Sequence, residues 1–221
     1  MQVVGIVVAV LIGIALGGPL VNVADRFLVR RDIVPGAWAR EIVGLLAGSV
    51  LGVFAAHFDQ AWTLVGYSII GLGLVLLSWI DLRARWLPRE VTAATVLAAA
   101  PFLVVAALVA GEPRRLLDAL LGALLATAIL LVVHVLGRGG LGDGDVRLGP
   151  LLGMALGWLN VALVLVGLLF GFFAGALAGV VVLATRRGTR RTEVPFGPFL
   201  ALGTLAAIVA GEAFLDAVLH R

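Results

Sequence analysis

The sequence predicts an all-α, polytopic membrane protein of about eight transmembrane helices, a single integral-membrane domain over residues 1–221. Three observations lead there. Hydrophobic residues make up 62% of the chain and the mean hydropathy is +1.16, whereas soluble domains average nearer ~45–50% apolar. Apolar runs recur at lengths close to the ~20 residues a helix needs to cross the hydrocarbon core. The sixteen basic residues, all arginine, gather in alternate connections.

In chain order the expected helices are about 2–24, 41–57, 62–80, 91–110, 116–136, 146–158, 160–185 and 197–219. The first run has the length of a signal-peptide core, but no basic residue precedes it and Arg26, Arg30 and Arg31 follow it. A cleaved signal has the opposite charge order, so this run is expected to stay as a span. The run 146–158 is the short one, expected as a half-span or a tilted helix. With the N-terminus outside and eight crossings, thirteen arginines fall on the inner side. They are Arg26, Arg30, Arg31 and Arg40; Arg83, Arg85 and Arg89; Arg138 and Arg147; Arg186, Arg187, Arg190 and Arg191. Only Arg114, Arg115 and Arg221 are left outside, as the positive-inside rule requires. The net charge of +3 follows from this bias, so no nucleic-acid partner is expected.

There are no cysteines, which excludes disulfides and cysteine-ligated zinc. His57, His134 and His220 lie in three separate segments, a poor basis for a metal centre. Asp143 and Asp145 alternate as at the start of a calcium loop, but the remaining ligands and the closing Glu are missing. No metal or organic cofactor is expected.

Two carboxylates stand out. Asp81 ends an apolar run in Ser78-Trp79-Ile80-Asp81, and Asp145 closes Gly142-Asp143-Gly144-Asp145. Ionisable side chains near a bilayer are costly and usually functional. Taken alone, Asp81 reads more readily as a helix end at the headgroups, paired with Arg83 or Arg85, than as a functional group. Taken alone, the loop Gly137–Asp145, with five glycines in nine residues, reads equally well as a flexible connector. Together they could share a proton and activate water, as paired carboxylates do. Pro88 suits the start of the next helix, and Pro195-Phe196-Gly197-Pro198 suits the start of the last, since the first-turn N–H groups lack helical partners anyway.

Four segments resemble, in order, those of the type IV prepilin peptidases, which are GxGD-type aspartyl intramembrane proteases. They are Gly17-Gly18-Pro19-Leu20-Val21-Asn22-Val23; Ile80-Asp81 with Leu87-Pro88 and Val91-Thr92; Gly142-x-Gly-Asp145-x-Arg147-Leu148 with Leu152-Gly153 and Gly157-Trp158; and Pro195-Phe196-Gly197-Pro198 with Phe199-Leu200-Ala201. The resemblance implies that Asp81 and Asp145 are catalytic. It also implies that Gly142, Gly144, Arg147, Pro195, Phe196, Gly197 and Pro198 shape the site or bind substrate. The implied reaction is removal of the cytoplasmic leader from a prepilin or pseudopilin whose helix stays in the bilayer. The implied location is the bacterial inner membrane, with the site at the cytoplasmic face and homo-oligomers possible. Arg89, Arg147 and Pro19 depart from the usual family residues. Many members carry a cysteine-bearing cytoplasmic insertion linked to N-methylation; here about residues 25–40 stand in its place without cysteine, so methylation does not follow.

Other readings are a presenilin-like protease, a small proton-coupled transporter, or a non-catalytic scaffold of a pilus or secretion machine. The presenilin type closes on Pro-Ala-Leu rather than Pro-Phe-Gly-Pro. A transporter would want charges at mid-membrane and a repeated half, and neither is visible. Finally, Gly149, Gly153 and Gly157, and Gly167, Gly171, Gly175 and Gly179, recur every fourth residue. Such ridges let membrane helices approach closely, and both are expected to fix the helix that carries Asp145.

Overall fold

The computed structural model describes residues 2–33, 36–137, 141–185 and 195–219. Among these residues the chain is helical, with α1 (Gln2–Leu28), α2 (Ala39–His57), α3 (Ala61–Ala84), α4 (Arg89–Val109), α5 (Arg114–Leu136), α6 (Asp143–Leu159), α7 (Leu163–Ala184) and α8 (Gly197–Leu219), plus a 3-10 turn at Val29–Arg31. Seven of the described helices are long and apolar enough to cross a membrane. The exception is α6, whose 17 residues reach about 25 Å at 1.5 Å each, just short of the ~30 Å core. The chain is thus a multi-pass membrane protein. The arginine clusters at 138 and 186–191 lie outside the described residues.

The helices fall into two compact units, Met1–Leu116 and Leu117–Arg221. In the first, α1 and α2 meet through glycine. A Cβ at Gly13 would lie 2.5 Å from the Cα of Gly48, and one at Gly17 2.6 Å from the Cα of Gly44. Lipid tails are as apolar as leucine, so burial alone does not hold such helices together; close backbone approach does. The ring of Tyr67 on α3 packs on Phe54 and Phe58, with centroids 5.8 and 4.3 Å away. Gly73 of α3 lies against Thr95 of α4. α3 stops where Arg85 turns left-handed at φ 48°, its N–H donating to the Asp81 carbonyl at 2.8 Å. Pro88 then caps α4, as its fixed φ suits.

In the second unit, the α6 glycines press on α5. A Cβ at Gly153 would lie 2.6 Å from the Cα of Ala123, and one at Gly157 2.8 Å from the Cα of Gly122. The α7 glycines have a different neighbour from the one the sequence led us to expect. Gly171 faces Leu200 and Phe199, Gly175 faces the Phe196 ring, and Gly167 faces Leu156 of α6 as well as Gly203 and Ala207 of α8. The ridge therefore seats mainly α8, and Gly179 faces open space. α6 also begins at Asp143, three residues before the expected start, so both acidic residues of the Gly-Asp-Gly-Asp run sit in its first turn.

A side chain at Gly153 must push backbone apart, whereas one at Gly179 meets nothing. Gly153→Val is expected to cost about 1–3 kcal/mol, as overpacking does, and to lower the unfolding temperature in detergent. Gly179→Val should leave it unchanged. Equal temperatures for both variants would mean that α5 and α6 are not in close contact.

Candidate active site

Asp81 lies in the last turn of α3, between Ile80 and Leu82, and is only 5% exposed. Nearby in the chain, Ile80 and Leu87 are buried, and Trp79 packs on the cluster of Val21, Ala39, Val43 and Val75. Arg83 turns toward the Trp79 ring, its guanidinium carbon 5.9 Å from the centroid. A carboxylate survives such burial only where hydrogen bonding, pairing or proton sharing compensates it.

Asp145 is 6% exposed and sits at the third position of α6. Its backbone N–H donates to the Gly142 carbonyl at 3.1 Å, and its Oδ2 accepts from the Gly142 N–H at 3.1 Å. This is the returning half of a capping box. Glycine at the cap has no side chain to complete the other half and leaves the approach to the carboxylate low. Acidic residues in a first turn also complement the helix dipole. Leu148, Leu151, Leu152 and Trp158 then bury most of α6, anchoring the turn from below.

The loop before α6 is tied down by a residue that the spacing of the chain does not reveal. Nδ1 of His134, near the end of α5, donates to the carbonyl of Leu141 at 2.7 Å, and its Nε2 lies 3.1 Å from Oδ1 of Asp143. Asp143 is largely exposed, so that contact contributes little. The bond to the buried Leu141 matters more, because it sets where the chain enters α6. The only advance signal was an eight-residue reach, from His134 across a glycine-rich loop to Gly142.

The other expected residues are spread more widely. Gly142 and Gly144 flank the turn, and Arg147 is exposed two positions beyond Asp145. Pro195, Phe196, Gly197 and Pro198 open α8 and pack on α7, where the Phe196 ring lies on Gly175 and 5.5 Å from that of Phe172. Asp81 belongs to the first unit and Asp145 to the second, and each carboxylate is defined here within its own unit. Among the described residues no three His, Asp or Glu side chains gather as metal ligands would.

The type IV leader peptidase family matches residues 68–183, a stretch that contains both buried aspartates. The chain belongs to this family. It is 30% identical over 178 residues to a prepilin leader peptidase/N-methyltransferase of Stutzerimonas stutzeri, covering 77% of this chain and 58% of that protein. A protein of the same name from Pseudomonas aeruginosa is 31% identical over 176 residues with the same two coverages. One from Bacillus subtilis is 32% identical over 97 residues, 44% of this chain and 38% of that protein. The chain thus spans a little over half the length of the first two relatives. No solved structure matches it.

The family match spans both aspartates, while the His134 bond is an observation on this chain. Replacing His134 with Ala removes one neutral hydrogen bond, worth about 1 kcal/mol. Amide hydrogen exchange at Gly142 and Asp145 should then run about five- to tenfold faster. Unchanged exchange would mean that the Gly142–Asp145 turn holds by itself.

Proposed function

We propose that the chain is an aspartic endopeptidase of the bacterial inner membrane. It removes the cytoplasmic leader from type IV prepilins or pseudopilins, and its two units act together as one peptidase domain. One observation carries the reading. Asp81 and Asp145 are both buried at helix ends, inside the stretch that matches the family. The relatives' name supports the substrate class. The positive-inside pattern supports a site at the cytoplasmic face.

In the proposed mechanism one aspartate is ionised and takes a proton from water. The other is protonated and donates a hydrogen bond to the scissile carbonyl. The hydroxide adds to the carbonyl carbon, the proton held by the first aspartate passes to the leaving amine, and the C–N bond breaks. Two carboxylates sharing one site cannot both ionise, so the pair divides these roles between its members. The Gly142 cap and the glycines around it leave room for an extended leader to lie along the Asp145 carboxylate. Phe196 and the flanking prolines, seated rigidly on α7, form a second wall. N-methylation is not part of the proposal, because the connection at about residues 25–40 lacks the cysteine-bearing insertion linked to it. The alternative of a proton-coupled transporter is less well supported, since both carboxylates lie at helix ends rather than mid-helix.

Asp81→Asn and Asp145→Asn keep the shape of the carboxylate and remove its acid/base capacity. Each should lower leader cleavage by at least about 10²- to 10⁴-fold while the protein still inserts. The measurement is co-expression with a prepilin and a gel shift for loss of the leader. Asp143→Asn should retain cleavage, since Asp143 faces outward toward His134. Wild-type cleavage by either of the first two variants would overturn the assignment.

A further inference from the structure

A groove of about 600 Å³ opens on the first unit, walled by α1, α3 and α4. Its floor is apolar, formed by Leu20, Ile69, Leu72, Ala94 and Ala98. One end is charged, where Arg26, Arg30 and Glu90 line it. None of these residues has a role in the proposed chemistry.

The charges do not cancel within the groove. Glu90 is paired with Arg89 at 3.4 Å, and Arg89 is not part of the lining. Arg30 lies 5.9 Å from the Phe27 ring centroid, and Arg26 has no ion pair among the described residues. Two guanidinium groups against one carboxylate, which also feels the charge of Arg30, leave this end of the groove with a net positive charge. Close by, Trp86 carries the Arg31 guanidinium 4.7 Å from its ring centroid and packs against Phe27. Tryptophan beside arginine at the end of apolar helices marks the headgroup level of a bilayer.

Length and volume indicate what fits. From Glu90 to Ala98 along α4 is about 12 Å, and from Ile69 to Leu76 along α3 about 10 Å, at 1.5 Å per residue. That is less than half of the ~30 Å hydrocarbon core, or about one leaflet. A transmembrane helix with its side chains is ~10–12 Å across and would fill on the order of 1,000 Å³ over that length. The groove is too small and too short for one. An acyl chain is thinner and ends within a leaflet.

We propose that this groove binds one anionic glycerophospholipid of the cytoplasmic leaflet, with one acyl chain lying along α3 and α4 and its phosphate at the end lined by Arg26 and Arg30. Attraction of anionic lipid headgroups by arginine near the surface is worth about 1 kcal/mol each, or roughly fivefold in affinity per arginine. The inference rests on the membrane topology and not on the peptidase reading.

Native mass spectrometry of the full chain tests it, with the protein purified in mild detergent and given equal dioleoyl phosphatidylglycerol and dioleoyl phosphatidylcholine. The wild type should retain one phosphatidylglycerol in at least tenfold preference to phosphatidylcholine. Arg26→Gln/Arg30→Gln should bring that preference close to one, and Arg26→Lys/Arg30→Lys should keep most of it. Ala98→Trp, which fills the apolar floor at an exposed position, should release the lipid altogether. Unchanged retention in the Gln pair and in Ala98→Trp would overturn the proposal. So would one-for-one displacement of phosphatidylglycerol by a synthetic apolar transmembrane peptide, which would make the groove a helix-docking site.

Discussion

Helices α5 and α6 meet backbone against backbone, and the placement of Asp145 depends on that contact. Within a bilayer, apolar helices gain nothing by burying their apolar faces against each other rather than against lipid. What remains is dispersion between surfaces close enough to interlock. Gly122, Gly153 and Gly157 supply that closeness, leaving no room for a side chain at the crossing. The first turn of α6 is thus held from one side by α5 and from below by Leu148, Leu151 and Leu152. The His134 bond to Leu141 then ties the chain just before α6 begins. A carboxylate on a rigid helix terminus can be positioned far better than one on a loop, and acid/base chemistry is sensitive to errors of about 1 Å.

The same device recurs in the first unit with a different result. Gly13 and Gly17 of α1 meet Gly44 and Gly48 of α2. This brings Leu20 and Val21 of α1 into the cluster that includes Val43, Val75 and Trp79. Buried carboxylates at helix ends and arginines at the rim are compatible because the arginines stay exposed and stack on Trp79, Trp86 and Phe27. The face of each ring receives the cation.

Much of this was legible in the sequence. Length and hydropathy alone place the eight helices, because a bilayer requires each span to satisfy its own backbone hydrogen bonds. Pro88 and the Pro195–Pro198 segment mark helix starts because proline lacks the donor that a first turn does not use. The two aspartates stand out because each lies at the edge of an apolar run. The less legible features all involve a partner. The glycine spacing on α7 defines a smooth face but not which helix lies on it, and α8 rather than α6 takes most of it. The four-residue spacing at Gly44, Gly48 and Gly52 was equally visible and equally mute about α1. His134 looked like one of three scattered histidines, since nothing in its own helix indicates that the chain returns to meet it. The early start of α6 at Asp143 came from a carboxylate capping its own helix, a contact that glycine-rich composition concealed.

The proposed function needs Asp81 and Asp145 on the same face of the membrane. The chain has no cysteine of its own, so a variant carrying Asp81→Cys and Asp145→Cys has only those two thiols. The decisive measurement is labelling and crosslinking of this variant in sealed vesicles of known orientation. An impermeant maleimide should reach both thiols from the cytoplasmic side only, and a short bifunctional thiol reagent should join them within one chain. Labelling of the two thiols from opposite faces of the membrane would contradict the account.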